Sequence, residues 1–454
     1  VPDPAPAASA PAAAPAPNAQ FKLLLVAVLL GVPVAAAAIL FTSVVGDLTT
    51  WVWTDIPKDA GWSEPPWWYV LALPTLAGLL VYGAIQLPGK GGHSPLEGLG
   101  LTAFTLREIP SVILAAMASL VLGIVLGPEA PLTAIGLCLG LVAGKLARLD
   151  EQGLKVMSFA GAFGAIASIF GGPIPSSLLL FETVAATGLV ASAMIGRLLV
   201  PGLIAAGIGA LLFTGVGDWD GVHSGGLSAL SLPSYPSVQL VDVLWAIVIA
   251  VAVGLVVVLA QIGAKRVGVR ASARHPLHAL LVGGFAVGLL AVLFRAITGN
   301  GVDQLLFSGE TDIGVFAAEG SASILFALLL MKGLAYAISL GSGFRGGPIF
   351  PSVALGVIAG TMFGQILPGA ALTPAVIAGL AAGPAAAMRL PFFGALLATL
   401  LGGVTSSQTV PIAVIAAVVG WVVGMGADQV MARRAAAAGG TPNAGAATPA
   451  PASS

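Results

Sequence analysis

Apolar segments recur along nearly the whole chain, from about Phe21 to Met431, and the polar breaks between them are too short to be domains. The first run, from Phe21 to about Val45, is long enough to cross a bilayer with tilt. Residues 46–66 interrupt it with Asp55, Lys58, Asp59 and Glu64. The pattern predicts further spans over 67–87, 190–213, 238–263, 279–296, 322–340 and 409–431, with apolar helices over 111–126 and 131–148. Two regions fragment. Segments 157–170 and 173–188 are broken by Pro173 and Pro175, and segments 375–388 and 391–404 by Pro391. Each piece is too short to cross about 30 Å of hydrocarbon alone. Residues 89–98 form a Gly-rich break that reads either as a surface loop or as backbone lining a buried cavity. Residues 216–236 read as a polar loop with Asp218, Asp220 and His223.

The fragmented regions are two copies of one pattern. Gly127-Pro128-Glu129-Ala130-Pro131 and Gly347-Pro348-Ile349-Phe350-Pro351 both read Gly-Pro-x-x-Pro. Each opens a small-residue helix, with Gly136 and Gly140 in one matching Gly356 and Gly360 in the other, Gly161 matching Gly379, and Pro173 matching Pro391. Short, Gly/Pro-interrupted segments at corresponding places of two halves point to a midplane binding site in a repeat-built transporter.

Composition places the whole chain in the membrane. It is 57% apolar and 8% charged, against about 25% charge in soluble domains. The expected architecture is an all-α polytopic membrane protein. Repeat 1 covers 20–264, a basic linker 265–278 and repeat 2 279–433, with Pro/Ala-rich disordered tails over 1–19 and 434–454. The first apolar run starts after residue 20 and exceeds a signal-peptide core, so no cleaved leader is expected. Lys265, Arg266, Arg270 and Arg274 carry no acid among them and, with Arg433 and Arg434, put both termini on the cytoplasmic side of a bacterial-type plasma membrane. Five of the eight tryptophans fall in or beside residues 46–68, as interfacial anchors would. A net charge of −1 gives no reason to expect a nucleic-acid partner. The single Cys138 allows no intrachain disulfide, and His93, His223, His275 and His278 lack metal-ligand spacing. No cofactor, metal or enzymatic constellation is expected.

The chemistry centres on Glu129, the only acid between Glu108 and Asp150. A helix N-terminus presents unpaired N–H groups and about half a positive charge, so it binds anions without a cationic side chain. Two such ends from opposite repeats make a weakly held anion site, and weak holding suits an ion that must leave again. A carboxylate at one of them competes for that site. It is a gate, and on protonation a proton carrier. The bland alternative, an acid stabilising its own helix dipole, is weakened because intramembrane carboxylates are functional by default.

These motifs resemble the CLC family of chloride channels and chloride/proton exchangers over about residues 20–433. Gly127 to Pro131 is similar to the family's G-[K/R]-E-G-P, whose Glu is the gating glutamate, and Ser342 to Pro351 is similar to S-G-x-x-G-G-x-F-x-P. Gly89 to Gly98 sits where the family has G-S-G-I-P-x-x-E-G, and Phe170-Gly171-Gly172-Pro173 with Glu182 resembles the helix carrying F-x-x-P and a terminal acid. The resemblance implies inverted repeats meeting at a central anion pore and a homodimer in the lipid bilayer. It implies chloride or a related small anion as substrate, with protons as possible co-substrate. Carried onto this chain, the anion-binding positions are Gly127, Ala130, Gly347, Ile349, Phe350 and Gly91. The gate is Glu129, and the proton-pathway positions are Glu129, Glu182 and Thr183.

Departures from the family pattern bear on mechanism. Gly91 stands where the family has its central Ser, and Ser94 is out of register. No Tyr follows Tyr336, Pro128 and Pro348 lack an N–H, and Ile349 rather than Phe350 holds the Phe register. The inner proton-relay Glu falls at Thr183, with Glu182 one residue before it. A Thr there leans toward a passive channel, though some exchangers of the family lack that Glu. No CBS domains, and so no nucleotide regulation, are expected. The Asn of the fluoride branch is absent from residues 89–98. Lys90, His93 and Arg345 read either as anion attractors at an inner mouth or as snorkelling cations, and Arg389 needs a cavity or an interface. Rival readings are a sodium-coupled organic-solute symporter of inverted-repeat type, which would need more acids in the broken segments, and a non-transporting scaffold, which would not need paired helix starts.

Overall fold

The structure, a computed structural model, describes residues 17–437 apart from 171, 188–191, 217–226, 228 and 404–407. The expected tails over 1–16 and 438–454, and Gly171, Asp218, Asp220 and His223, lie outside the described residues. The described residues form helices and one isolated β-bridge. The first repeat runs α1 (Pro17–Thr50), α2 (Ile56–Asp59), α3 (Trp67–Ala84), α4 (Ile109–Val121), α5 (Glu129–Leu146), α6 (Glu151–Ala167), α7 (Pro173–Thr187), α8 (Ser192–Val216) and α9 (Leu240–Gly263). A short α10 (Val269–Arg274) leads to the second repeat. That comprises α11 (Pro276–Thr298), α12 (Ile313–Ala318), α13 (Ala322–Gly341), α14 (Ile349–Ile366), α15 (Leu372–Met388), α16 (Pro391–Gly402) and α17 (Val410–Ala437). Among the described residues eight helical segments are long and apolar enough to cross a membrane. α6, α7, α15 and α16 have 12 to 17 residues and pair as half-spans, as the fragmented pattern predicts.

Several boundaries move from those read in the sequence. The break expected after Val45 is helical instead: a π-helical turn at Trp51–Asp55 joins α1 to α2. Thr42 and Thr49 donate their hydroxyls to carbonyls one turn back, so the polar residues there are satisfied within the helix. The tryptophans of this stretch do more than anchor. Trp53 donates Nε1–H to Val121 O, and Trp62, Trp68 and Tyr69 pack edge to face. Residues 17–19, expected in the tail, begin α1, where Pro17 suits a first turn. Residues 434–437 extend α17, an Arg and three Ala of high helix propensity. The linker expected over 265–278 is itself helical, and α11 starts within it at Pro276.

Glycines set how closely the half-spans approach. A Cβ at Gly136 would lie 2.4 Å from Gly161 O, and one at Gly356 would lie 2.2 Å from Gly379 O. α5 therefore crosses α6 as α14 crosses α15, backbone against backbone. Gly161→Ala would place its Cβ 2.0 Å from Gly136 O, a clash with backbone that no rotamer relieves. We expect that variant to lose about 1–3 kcal/mol, read as a lower thermal midpoint in detergent. Gly207→Ala, where nothing lies within 4 Å, serves as the silent control.

The spanning helices fix which face each loop occupies. α9 ends at the basic linker, which starts α11, so residues 299–312 after α11 lie on the opposite face from Lys265. Lys265 and Asp428 line one cavity, which puts the linker and the end of α17 on the same face.

Candidate functional site

Short extended segments precede α5 and α14, and they clasp each other at the centre of the molecule. Gly127 N donates to Gly347 O at 2.8 Å and Gly347 N to Gly127 O at 2.6 Å, an antiparallel bridge between the two repeats. Two serines complete the clasp symmetrically. Val125 N donates to Ser339 Oγ at 3.2 Å and Arg345 N to Ser119 Oγ at 3.1 Å, while each serine donates to the carbonyl four residues back. The chain breaks its helices here without leaving these backbone groups unpaired.

Glu129 opens α5 and reaches across the clasp. Its side chain is fully buried, and Oε1 accepts from Ile349 N at 2.5 Å and Phe350 N at 3.4 Å. The carboxylate thus occupies the N-terminus of α14, whose N–H groups attract negative charge. Its Oε2 is enclosed and has no hydrogen-bond partner. Room for the carboxylate depends on both glycines: a Cβ at Gly127 would lie 2.1 Å from Oε2, and one at Gly347 would lie 2.0 Å from Cδ. Phe350 stacks on Phe170 at 5.2 Å, Phe170 meets Phe393 edge-on, and Tyr336 donates to Pro348 O at 3.0 Å. These groups seal the site against water, which strengthens a charge–dipole interaction.

Gly127, Glu129, Gly347, Ile349 and Phe350 are brought together at this point; the other candidates are not. Ala130 lies in the first turn of α5 and lines a small cavity beside Gly91. Gly91 has φ +75°, and a Cβ there would lie 2.8 Å from the Ile85 side chain, so the fold has no place for a hydroxyl-bearing residue at this position. Glu182 accepts from Phe392 N and Phe393 N at 3.1 and 2.9 Å, capping α16. Thr183 donates its hydroxyl to Leu179 O at 2.6 Å and borders a cavity of about 460 Å³.

That cavity is an open vestibule, lined also by His93, Glu97, Lys265, Pro348 and Arg389. Arg389 takes a left-handed φ of 64° and pairs with Asp428 through two bonds of 2.7 and 3.0 Å. Lys90 is exposed, and its carbonyl accepts from Arg345 Nη2 at 3.2 Å. Among the described residues no His/Cys/Asp/Glu group could hold a metal ion.

Three features escaped the sequence reading. The serine pair 119/339 shares the spacing of Gly127/Gly347 and was there to be found. Lys332 is fully buried in α13 and donates to the carbonyls of Gln304, Leu305, Leu306 and Phe307 at 3.0–3.3 Å, tying down the loop that precedes α12. A lone Lys in an apolar run was its signal. Glu310, half-buried in that loop, gave none. Burial and the nearby Glu129 carboxylate push its carboxyl up to about 8.

Comparison with known proteins bears on the family and the fold. A family model described as voltage gated chloride channel matches residues 88–425. The putative ion-transport protein YfeO of Escherichia fergusonii is 28% identical over 349 residues, covering 75% of this chain and 79% of its own. YfeO of Escherichia coli strain SMS-3-5 matches equally, at 28%. Among solved structures, a slow cyanobacterial Cl−/H+ antiporter superposes with a TM-score of 0.72 at 19% identity, over 93% of this chain and 99% of that one. A CLC-type fluoride/proton antiporter gives 0.67 at 18% identity, over 90% and 97%.

Proposed function

The chain belongs to the voltage gated chloride channel family, and from that premise we propose that it moves chloride or another small monovalent anion across the membrane, gated by the Glu129 carboxylate. One observation carries this reading: Glu129 Oε1 sits on the two free amides that start α14, as a competing anion would. Protonation removes its charge and frees the amides for a passing ion. The aromatic contacts around Phe350 keep the site dry, and the vestibule supplies ions from the face that carries the linker and the end of α17. With Lys265, Arg266, Arg433 and Arg434 on it, we assign that face to the cytoplasm.

Proton coupling divides two versions of this reading. Glu182 is committed to the α16 cap and Thr183 returns its hydroxyl to its own helix. Neither offers a free carboxylate on the vestibule side, which favours conduction uncoupled from protons. The exchanger reading draws on Glu310, a second carboxyl near Glu129 on the opposite side, and on the two antiporters of similar fold. Chloride efflux from proteoliposomes with pH recorded simultaneously tests both. Chloride flux with proton counter-movement against a gradient establishes exchange, chloride flux alone establishes a channel, and no chloride flux removes chloride as substrate.

Glu310 predicts a pH dependence on its own side. Its carboxyl is neutral below about 8 and ionised above it, and the ionised form repels an entering anion. Flux is therefore expected to fall as pH on that side rises through about 8. Glu310→Gln removes this component and leaves flux below it unchanged. A wild-type profile flat across that window would refute the assignment.

We also propose a homodimer. Ile174, Leu211 and Phe392, on α7, α8 and α16, are large apolar residues 64–75% exposed, as a face between two copies or against lipid would be. Mass measurement in a lipid nanodisc decides between one copy and two.

A further inference from the structure

Two of the enclosed polar atoms without a hydrogen-bond partner belong to residues that line the same small space. Arg345 Nε and His93 Nε2 are both shut off from solvent and unpartnered. Both residues line a cavity of about 10 Å³ behind the 89–98 loop, against the first turns of α5. Each side chain is held in place by its other end. Arg345 Nη2 donates to Lys90 O at 3.2 Å, and His93 Nδ1 lies 3.5 Å from Glu97 Oε2. The imidazole is wedged against Phe104 at 5.1 Å and against Gly100, where a Cβ would fall 2.1 Å from the ring. Gly91 completes the arrangement, since a Cβ there would lie 3.1 Å from Arg345 Nε.

We propose that Arg345 and His93 hold a single halide-like anion in this cavity, a resting site beside the vestibule and distinct from the α14 amides occupied by Glu129. The space is about that of one water-sized sphere, so a monatomic ion fits with a small outward shift of the walls and a polyatomic oxoanion does not. The remaining walls are Gly91, Gly92, Gly346 and apolar side chains such as Leu99, Val112 and Ala134, and no side-chain oxygen lines the space. A water there would leave its hydrogens without a side-chain acceptor, whereas a halide accepts from the guanidinium and from an imidazole N–H. Among the described residues no carboxylate forms an ion pair with Arg345, on which Glu97 acts only at longer range, and the enclosed Nε has no acceptor, which is costly. His93 also borders the vestibule, so its ring separates the site from the ion supply and its rotation opens the way in. The proposal rests on the reading of this chain as a small-anion carrier.

Long-wavelength anomalous diffraction from crystals grown in chloride tests it, because it separates chloride from water without requiring transport. Wild type is expected to show a peak between Arg345 Nε and His93 Nε2. Arg345→Met should lose that peak and weaken calorimetric chloride binding at least tenfold. His93→Leu should do the same if Arg345→Met does not purify folded. No peak in the wild-type cavity, or a peak unchanged in the folded variants, overturns the inference. Glu129→Ala, which leaves the α14 amides without a side-chain acceptor, separates this from the wider reading. Chloride at the Ile349 and Phe350 amides in that variant, with an empty cavity, refutes the resting site alone. Chloride in the cavity without any at the amides and without flux refutes the transport reading alone.

Discussion

Glu129→Ala is expected to raise chloride efflux at neutral pH by about tenfold to a hundredfold and to remove its pH dependence, apart from the fall near pH 8 set by Glu310. The wild-type carboxylate holds the α14 amides by two hydrogen bonds, one of 2.5 Å to Ile349 N. Hydrogen bonds to a charged group contribute roughly 1.5–3 kcal/mol net, and about 1.4 kcal/mol is a factor of ten in occupancy. Removing the side chain removes both the plug and the group whose protonation lifts it. Wild-type efflux should therefore rise as pH falls, and the variant should run at the acid-limit rate wherever Glu310 is neutral. Proton movement, if wild type shows any, should vanish in the variant. Proteoliposome efflux with a pH electrode in the same vessel reads all three. An alanine variant that keeps the wild-type rate and pH profile would mean that Glu129 stabilises its helix and gates nothing.

Glu129→Gln refines the same test. The amide keeps the shape but not the charge, and its oxygen still reaches the two N–H groups. Efflux should fall between wild type and Glu129→Ala, and it should lose pH dependence as completely as the alanine variant does. A glutamine variant indistinguishable from wild type would move the gate elsewhere.

Much of this site was visible in the chain because it is duplicated. Gly127 and Gly347, Gly136 and Gly356, and Gly161 and Gly379 recur with near-constant spacing, since each must let one backbone approach another. A constraint of that kind leaves glycine whatever else changes. Glu129 stood out for the opposite reason, as an isolated charge among apolar residues. Contacts that join distant segments through ordinary residues left no trace. Glu182 looks like a possible proton carrier from its position beside Thr183, and only the fold shows that it caps a helix 210 residues away. Glu310 sits in a polar loop where an acid attracts no notice. The helical course of residues 46–59 differs from the expected break because hydropathy marks their polarity, whereas Thr49 bonds to its own helix. Gly91 was legible as a departure from the family, but not the reason for it: the Ile85 side chain and a positive φ exclude any larger residue there.

Gly347→Ala should abolish most anion flux, by tenfold or more, and Glu129→Ala should fail to restore it. The added Cβ would lie 2.0 Å from Glu129 Cδ and 2.3 Å from Oε1. The carboxylate can swing away, because it is the far end of a flexible side chain. The space it leaves, however, is where an ion must pass to touch Ile349 N–H, and the methyl group fills that space. Substituting Gly347 thus evicts plug and substrate together, so the double variant should resemble Gly347→Ala rather than Glu129→Ala. This order of dominance separates a blocked path from a lost gate. Thermal unfolding and gel filtration of the purified variants exclude misfolding, which the geometry does not demand, since Gly347 does not have a positive φ. If the double variant conducts as freely as Glu129→Ala, anions do not travel past the α14 amides, and the site drawn around Ile349 and Phe350 is only where a glutamate rests.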